Sequence, residues 1–197
     1  MKKFMMTVLL GAALSAQPIL AQPKTYQVDG THSRVGFSVT HLQLSEVEGR
    51  FGEYEGTIKW DAEKPAKSKI EFTVKADSID TDNDRRDGHL KSPDFFDTAK
   101  YPTLTFETTS VEPLSGDKYA LTGDLTMHGV TKRVTLPATI RGPVDAMGNG
   151  KMSLGFSTSF KVNRIDYGVG AGWKGGSDKV VGHDVFVSIK GEAHQSQ

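Results

Sequence analysis

The segment KIEFTVKA, residues 69–76, alternates polar and apolar side chains along its whole length. Successive side chains of a strand point to opposite faces, so one face of this segment carries all of its apolar residues: Ile70, Phe72, Val74 and Ala76. This period of two predicts a half-buried antiparallel strand. The same alternation predicts strands in five further segments: residues 33–42, 119–130, 132–142, 151–162 and 183–191. Residues 103–111 are predicted to form one more strand.

A longer strand is predicted over residues 46–61, where Gly49, Gly52 and Gly56 indicate bulges or strong bending. The fold class is therefore all-β, with roughly eight strands in meander order and no long amphipathic helix. Such a chain can form a sandwich or a closed barrel. Long strands with glycine kinks favour an antiparallel barrel, and about eight strands enclose room for one elongated small ligand.

The N-terminal residues 1–21 have the pattern of a secretory signal peptide: two lysines, a short apolar run and small residues ending at Ala21. Residues 22–197 are then one exported domain, periplasmic or, as the alternative, secreted. Without Lys2 and Lys3 the 24 basic and 24 acidic residues become 22 and 24, a net charge of −2. This balance argues against nucleic-acid binding. The chain has no cysteine, so its stability depends on its core without disulfides.

Two irregular regions break the strand rhythm, residues 77–101 and 163–179. The first is predicted to hold a short helical insertion around residues 82–97, with one or two helical turns over Asn83–Lys91 that end before Pro93. It also carries Phe95 and Phe96, and we predict that at least one of them is largely buried and closes an end of the barrel. Donors beside aromatics suit an amphiphile's polar head, and the candidate head-group residues are Arg85, His89, Lys91, Asn163, Arg164, Asp166 and Tyr167.

Other motifs in the sequence give weaker indications of a functional site. Asp80, Asp82 and Asp84 imitate the start of a calcium loop, but basic residues stand where glycine and glutamate are required. Asp29, His32 and Ser33 hold the letters of a hydrolase triad within one short segment, whereas triad members converge from separate elements. The six histidines form no metal-binding pair in sequence, so no metal and no catalytic residue are predicted.

Four segments in order resemble the YceI-like family over nearly the whole chain beyond residue 25: HSRVGFSVTHLQLSEVEGRFGEYEGTIKWD, RDGHLKSPDFFDTAKYPTLTFETTSV, LTGDLTMHGVTKRVTLPATI and FKVNRIDYGV. One departure is Gln43, where the family often has glycine, and we expect it to alter the first hairpin slightly.

The resemblance implies a lipocalin-like barrel in the periplasm that binds a long polyisoprenoid, such as a prenyl quinone or a polyprenyl phosphate, without a cofactor. The tail would lie against the apolar face of the strands and the loop aromatics. The predicted lining is Phe37, Val39, Phe51, Phe72, Val74, Phe95, Phe96, Phe106, Leu125, Met127, Leu136, Leu154, Phe156, Phe160, Trp173, Val185 and Val187. The alternative for these side chains is a solid core without a cavity.

The leading hypothesis is a non-enzymatic carrier whose partners are an isoprenoid lipid and, transiently, a membrane. An enzyme acting on such a lipid is a second hypothesis, which requires acid–base groups inside the barrel. A non-lipid interaction module is a third, which requires a filled core and an exposed apolar patch. The sequence leaves the oligomeric state open, with a homodimer as one alternative.

Overall fold

The computed structural model describes residues 22–175 and 179–196. The predicted signal peptide, residues 1–21, lies outside this part of the chain. Eleven strands and one α-helix occur in the described residues: β1 Lys24–Val28, β2 Arg34–His41, β3 Ser45–Phe51, β4 Tyr54–Trp60, β5 Lys69–Lys75, β6 Ile79–Asp80, α1 Asp84–Lys91, β7 Thr103–Pro113, β8 Lys118–Met127, β9 Val130–Val144, β10 Ser153–Asn163 and β11 Val181–Gln195.

Eight of these strands close into an antiparallel barrel in the order β1-β4-β5-β7-β8-β9-β10-β11, because β11 pairs with β1 as well as with β10. The all-β, roughly eight-stranded barrel predicted from the alternation is thereby confirmed. The remaining strands, β2, β3 and β6, continue from β11 as an extension of the same sheet. Strand β11 can serve both parts because it is 15 residues long: its last residues pair with β1, and residues 181–190 pair with β2.

The single strand predicted over residues 46–61 is wrong, because the chain turns at Gly52 and forms two strands there. Strand β3 pairs with β2 and β6, whereas β4 pairs with β1 and β5. Gly52 donates its N–H to the carbonyl of Ser78 at 3.0 Å, which extends the pairing of β3 with β6 by one position before the chain turns. Gly52 therefore marks a change of partner strand, whereas the sequence predicted bulges or a bend within one strand.

The helical insertion is confirmed as α1, which begins after Asn83 and ends before Ser92. The Asn83 side chain caps the helix by accepting a hydrogen bond from the N–H of Arg86 at 3.0 Å. Asp84 and Asp87 lie in the first turn, where the positive end of the helix dipole stabilises a carboxylate. The buried Asp87 also accepts a hydrogen bond from the N–H of Thr81 at 3.0 Å, which fastens the helix to the end of β6.

The interior of the barrel differs between its two ends. At the packed end, where β1 closes the ring, a solid cluster fills the interior: Tyr26, Ile58, Trp60, Ile70, Val111, Leu121, Ala138, Ile140, Leu154 and Ala193. At the opposite end, called the cavity end, two smaller clusters are centred on Phe51 with Val74 and on Phe95 with Tyr167. The turns after Pro113 and Val144 lie at the packed end, and the turn between β2 and β3 lies at the cavity end.

Inward-facing glycines receive phenylalanine rings from neighbouring strands. A Cβ placed on Gly49 would lie 2.3 Å from Cζ of Phe37, which faces it across β2 and β3. Gly56 and Gly123 are covered in the same way by Phe72 and Phe106. Such rings shield a strand glycine and allow the sheet to bend there. They also hold three large apolar faces against the barrel interior.

Candidate functional site

Two adjoining cavities, each of about 110 Å³, lie between the cavity end and the middle of the barrel. The outer cavity is lined by Phe37, Val39, Phe51, Ile79, Leu90, Phe95, Phe96, Leu104, Met127, Val162, Arg164, Val169, Val181, Val185 and Val187. The inner cavity is lined by Val35, Gly36, Phe37, Phe51, Phe72, Val74, Leu104, Thr105, Phe106, Leu125, Met127, Leu136, Phe160, Val162, Val187 and Ile189. The walls are almost wholly apolar: Arg164 and Thr105 are the only residues with polar side chains among the described residues that line them.

Fourteen of the seventeen predicted lining residues contact one or both cavities. Leu154 and Phe156 lie elsewhere: Leu154 is buried in the packed end beside Ala193, and Phe156 packs against the same cluster. They share the inward register of β10 with Phe160, but they sit at the depth where β1 closes the ring. Trp173 also lies outside both linings, and its ring packs on Phe95 with 5.3 Å between centroids.

The loop after α1 closes the outer cavity with its two phenylalanines. Phe95 is only 4% exposed, so the prediction that at least one of the pair is largely buried is confirmed. Phe96 is half-buried, and its ring meets that of Phe51 edge to face at 6.0 Å. The loop is held by its own backbone, because the N–H of Phe96 donates to the carbonyl of Leu90 at 2.9 Å.

Arg164 is a buried cation at the wall of the outer cavity. Its guanidinium donates to three backbone carbonyls: Nε to Gly182 at 2.9 Å, Nη1 to Val169 at 2.8 Å and Nη2 to Val181 at 3.0 Å. Burial lowers the pKa of this guanidinium, and no acidic side chain of the described residues offsets that effect. A guanidinium has five N–H donors, so two of them have no partner among the described residues.

Arg164 also determines the backbone around it. Its Cζ lies 6.0 Å from the centroid of the Phe95 ring, which brings the two irregular regions together. Gly170 has a φ of +71°, and a Cβ there would lie 2.4 Å from Nη1 of Arg164 and 2.9 Å from the Phe95 ring. Only glycine fits this position without moving the cation or the ring.

The other six predicted head-group residues do not line either cavity in the described chain. Three lie on α1: Arg85 is exposed, Lys91 ends the helix, and His89 approaches Asp94 with 3.1 Å between Nε2 and Oδ2. The remaining three are structural neighbours of Arg164: Asn163, Asp166 and Tyr167.

These three neighbours are occupied by local contacts. The Asn163 side chain accepts a hydrogen bond from the N–H of Ile165 at 3.0 Å, and Asp166 forms an ion pair with Lys132 at 3.5 Å. Burial raises the pKa of Tyr167, with the charge of Asp166 as a smaller cause. Of the predicted cluster, the structure therefore brings Arg164 to the cavity and uses its neighbours to shape the loop.

Sequence reasoning missed several lining residues. Leu104 and Val162 share the register of predicted residues on β7 and β10, so alternation alone would have found them. Ile79 and Val169 carry no such signal, because one lies in a two-residue strand and the other in the glycine-rich loop after Tyr167.

The triad letters near the N-terminus make a surface cluster of a different kind. Asp29 Oδ2 lies 2.6 Å from Nδ1 of His32 and 3.3 Å from Nε2 of His194. These contacts, led by the hydrogen bond with His32, lower the pKa of Asp29, and Asp29 in turn raises the pKa of His32. Ser33 instead accepts a hydrogen bond from the backbone N–H of Glu192 at 3.3 Å, so it is not aligned with a base.

Residues 22–175 and 179–196 hold neither a metal-ligand cluster nor a membrane-spanning helix. No three His, Asp or Glu side chains come together in a group that would hold a metal ion. None of the helices in this part of the chain is both long and apolar enough to cross a bilayer.

Residues 26–193 match the YceI-like domain. The chain belongs to the YceI-like family. Protein YceI of Escherichia coli O6:H1 is 36% identical to this YceI-like chain over 192 residues, which is 97% of this chain and 98% of the relative. The membership predicted from the four sequence segments is confirmed.

Solved structures share the fold. Burkholderia cenocepacia BcnA superimposes with a TM-score of 0.75 at 25% identity, covering 86% of this chain and 99% of BcnA. A polyisoprenoid binding domain from Saccharophagus degradans, implicated in plant cell wall breakdown, superimposes with a TM-score of 0.67 at 15% identity. That match covers 89% of this chain and all of the domain, and at this identity it establishes the common fold alone.

Proposed function

We propose that this protein is a periplasmic carrier that holds the tail of a long polyisoprenoid lipid in the apolar interior of its barrel. The observation that carries the proposal is a continuous apolar wall around two cavities with one buried guanidinium at its outer end. A barrel of the same fold is a polyisoprenoid binding domain in another bacterium, which supports this ligand class. The signal-peptide pattern of residues 1–21 supports export.

The cavity volume indicates how such a tail would enter. Sites for drug-sized ligands usually measure about 300–1,000 Å³, and each cavity here is about 110 Å³. The side chains that line both cavities form a partition between them: Phe37, Phe51, Leu104, Met127, Val162 and Val187. Rotation of these side chains would join the cavities into one tunnel, and the flexible Met127 can move at low cost. Binding a long tail therefore requires the partition to open.

The head group would lie near Arg164. Two guanidinium N–H groups have no hydrogen-bond partner within residues 22–175 and 179–196, and they suit the oxygen atoms of a quinone carbonyl or a phosphate. No acidic side chain in the described part of the chain pairs with this charge, so a phosphate gains more from it than a neutral quinone does. The preference between these two heads therefore measures how closely the head approaches Arg164.

An enzyme acting on the lipid is less well supported by the same geometry. The described lining contains no carboxylate, histidine or lysine, so acid–base groups do not converge on either cavity. The interaction-module hypothesis loses its main argument as well, since Phe95 is buried and Phe96 lines the outer cavity.

A loading experiment tests the proposal. The purified, delipidated protein is mixed with a long-chain prenyl quinone or a polyprenyl phosphate in detergent, separated by gel filtration and extracted for mass spectrometry. We expect the prenyl lipid to co-elute with the protein, whereas a free quinone head without a tail does not. Failure of both prenyl lipids to co-elute would refute the carrier proposal.

A further inference from the structure

The turn between β2 and β3 exposes two leucines at the cavity end. Leu42 is 49% exposed and Leu44 is 87% exposed. The turn is closed by a hydrogen bond from the N–H of Leu44 to the carbonyl of His41 at 3.0 Å. Neither side chain belongs to any of the buried clusters, so the packing of the barrel does not explain them.

The backbone of this turn does not explain the leucines either. Leu42 and Gln43 have φ values of +53° and +57°. Hairpin turns in which both central residues have a positive φ favour Asn-Gly, because most residues with a Cβ are strained there. Leucine at the first of these positions is therefore disfavoured by the local conformation, so the turn geometry does not account for it.

The turn is continuous with the wall of the outer cavity. Val39, on β2, and Val181, on β11, both line that cavity. Val181 pairs with His41, the last residue of β2, and the N–H of Leu42 donates to the carbonyl of Val180 at 3.0 Å. Leu42 therefore lies three residues beyond Val39 and one ladder position beyond Val181.

Two leucines on a narrow turn suit a bilayer better than a protein partner. A stable protein interface buries about 800 Å² on each side, which is far more than two side chains supply. Lipid tails, by contrast, take up single apolar side chains, and each leucine buried favours insertion. The proposed ligand is itself dissolved in a membrane, so contact at this position would bring the cavity to its source.

We propose that Leu42 and Leu44 form a membrane-docking tip that inserts into the lipid surface and places the cavity end against it. The biological use of this contact rests on the proposed lipid-carrier function, whereas insertion of the two leucines into a bilayer does not depend on it. It requires no charged lipid, because the contact is aliphatic.

The packed end supplies the matched control. Leu114 and Met147 are 59% and 84% exposed in turns of that end, which the solid cluster separates from the cavities. The test variants are Leu42→Ser with Leu44→Ser, and the control variants are Leu114→Ser with Met147→Ser. A second control, Gln43→Gly, changes the turn backbone while it keeps both leucines.

Two readouts separate this inference from the carrier proposal. The first is flotation of each protein with phosphatidylcholine vesicles that contain no ligand. The second is the rate at which a prenyl quinone moves from such vesicles to the protein, compared with loading from detergent micelles. Loss of one inserted leucine corresponds to about a tenfold weaker partition. We therefore expect the tip variant to float at least tenfold less and to load from vesicles at least tenfold more slowly.

Both controls should behave like the unchanged protein, and all variants should load equally from micelles. Equal flotation of the tip variant and the unchanged protein would overturn the inference, as would an equal loss in the packed-end control. Failure of every variant to load from micelles would instead refute the carrier proposal, while flotation would still decide the docking tip.

Discussion

Val187 lies on β11 in the partition between the two cavities, where it pairs with Phe160 on one side and Phe37 on the other. The substitution Val187→Phe would fill part of this space. If the space is a binding tunnel, filling it should stabilise the protein and weaken ligand binding at the same time. Binding sites commonly show this opposition between stability and function.

The expected magnitudes follow from buried area. A phenylalanine ring that enters cavities of about 110 Å³ each buries on the order of 50 Å² more apolar surface than valine does, which is about 1 kcal/mol of added stability. A tail that loses on the order of 80 Å² of wall contact loses about 2 kcal/mol of binding free energy. That loss corresponds to about a 30-fold rise in Kd.

Urea unfolding of the ligand-free protein measures the stability, and titration with a prenyl quinone measures the Kd. The matched control is Val144→Phe, the same change at a residue that is 53% exposed at the packed end. We expect this control to alter neither quantity. Unchanged binding by Val187→Phe would refute the tunnel, and a parallel loss of stability and binding would show that the site has no free space.

Three further predictions concern single contacts. Gly49→Ala should lower the free energy of unfolding, measured in urea, by about 1–3 kcal/mol, because the added methyl group overpacks against a phenylalanine ring. The control Gly155→Ala should leave this free energy unchanged, because a Cβ there meets nothing within 4 Å. Equal losses of stability in the two variants would contradict the close contact at Gly49. Arg164→Lys keeps the positive charge but cannot reproduce the three guanidinium hydrogen bonds to backbone carbonyls. Urea unfolding should therefore show a free energy of unfolding that is lower by about 1–3 kcal/mol. Asp29 raises the pKa of His32, so Asp29→Asn should lower the His32 pKa in an NMR titration; the stabilisation by this pair is present at low pH and fades as pH rises through the raised pKa. An unchanged His32 pKa would show that the contact with Asp29 does not persist in solution.

The barrel was predictable because alternation fixes which face of each strand is buried. Phe72 and Val74 face inward in the register that the segment 69–76 requires. Alternation does not fix the depth along the barrel axis, however. Leu154 and Phe160 have the same register on β10, yet Leu154 lies in the packed end and Phe160 lines the inner cavity.

The site was less predictable because it depends on contacts between distant loops. The proximity of donors and aromatics pointed to Arg164, but nothing in the sequence showed that its charge would be held by carbonyls from residues 169, 181 and 182. Val169 comes from a loop without periodicity. Gln43 adopts a left-handed φ, and the exposure of its neighbouring leucines follows only from the folded hairpin.

The most direct test of the carrier proposal is mass spectrometry of an organic-solvent extract of the protein, purified without detergent from cells that make prenyl lipids. The proposal predicts a polyisoprenoid in a stoichiometric amount, and its depletion in the Val187→Phe protein. An extract without any isoprenoid, from a protein that also fails to take up a prenyl quinone, would contradict it.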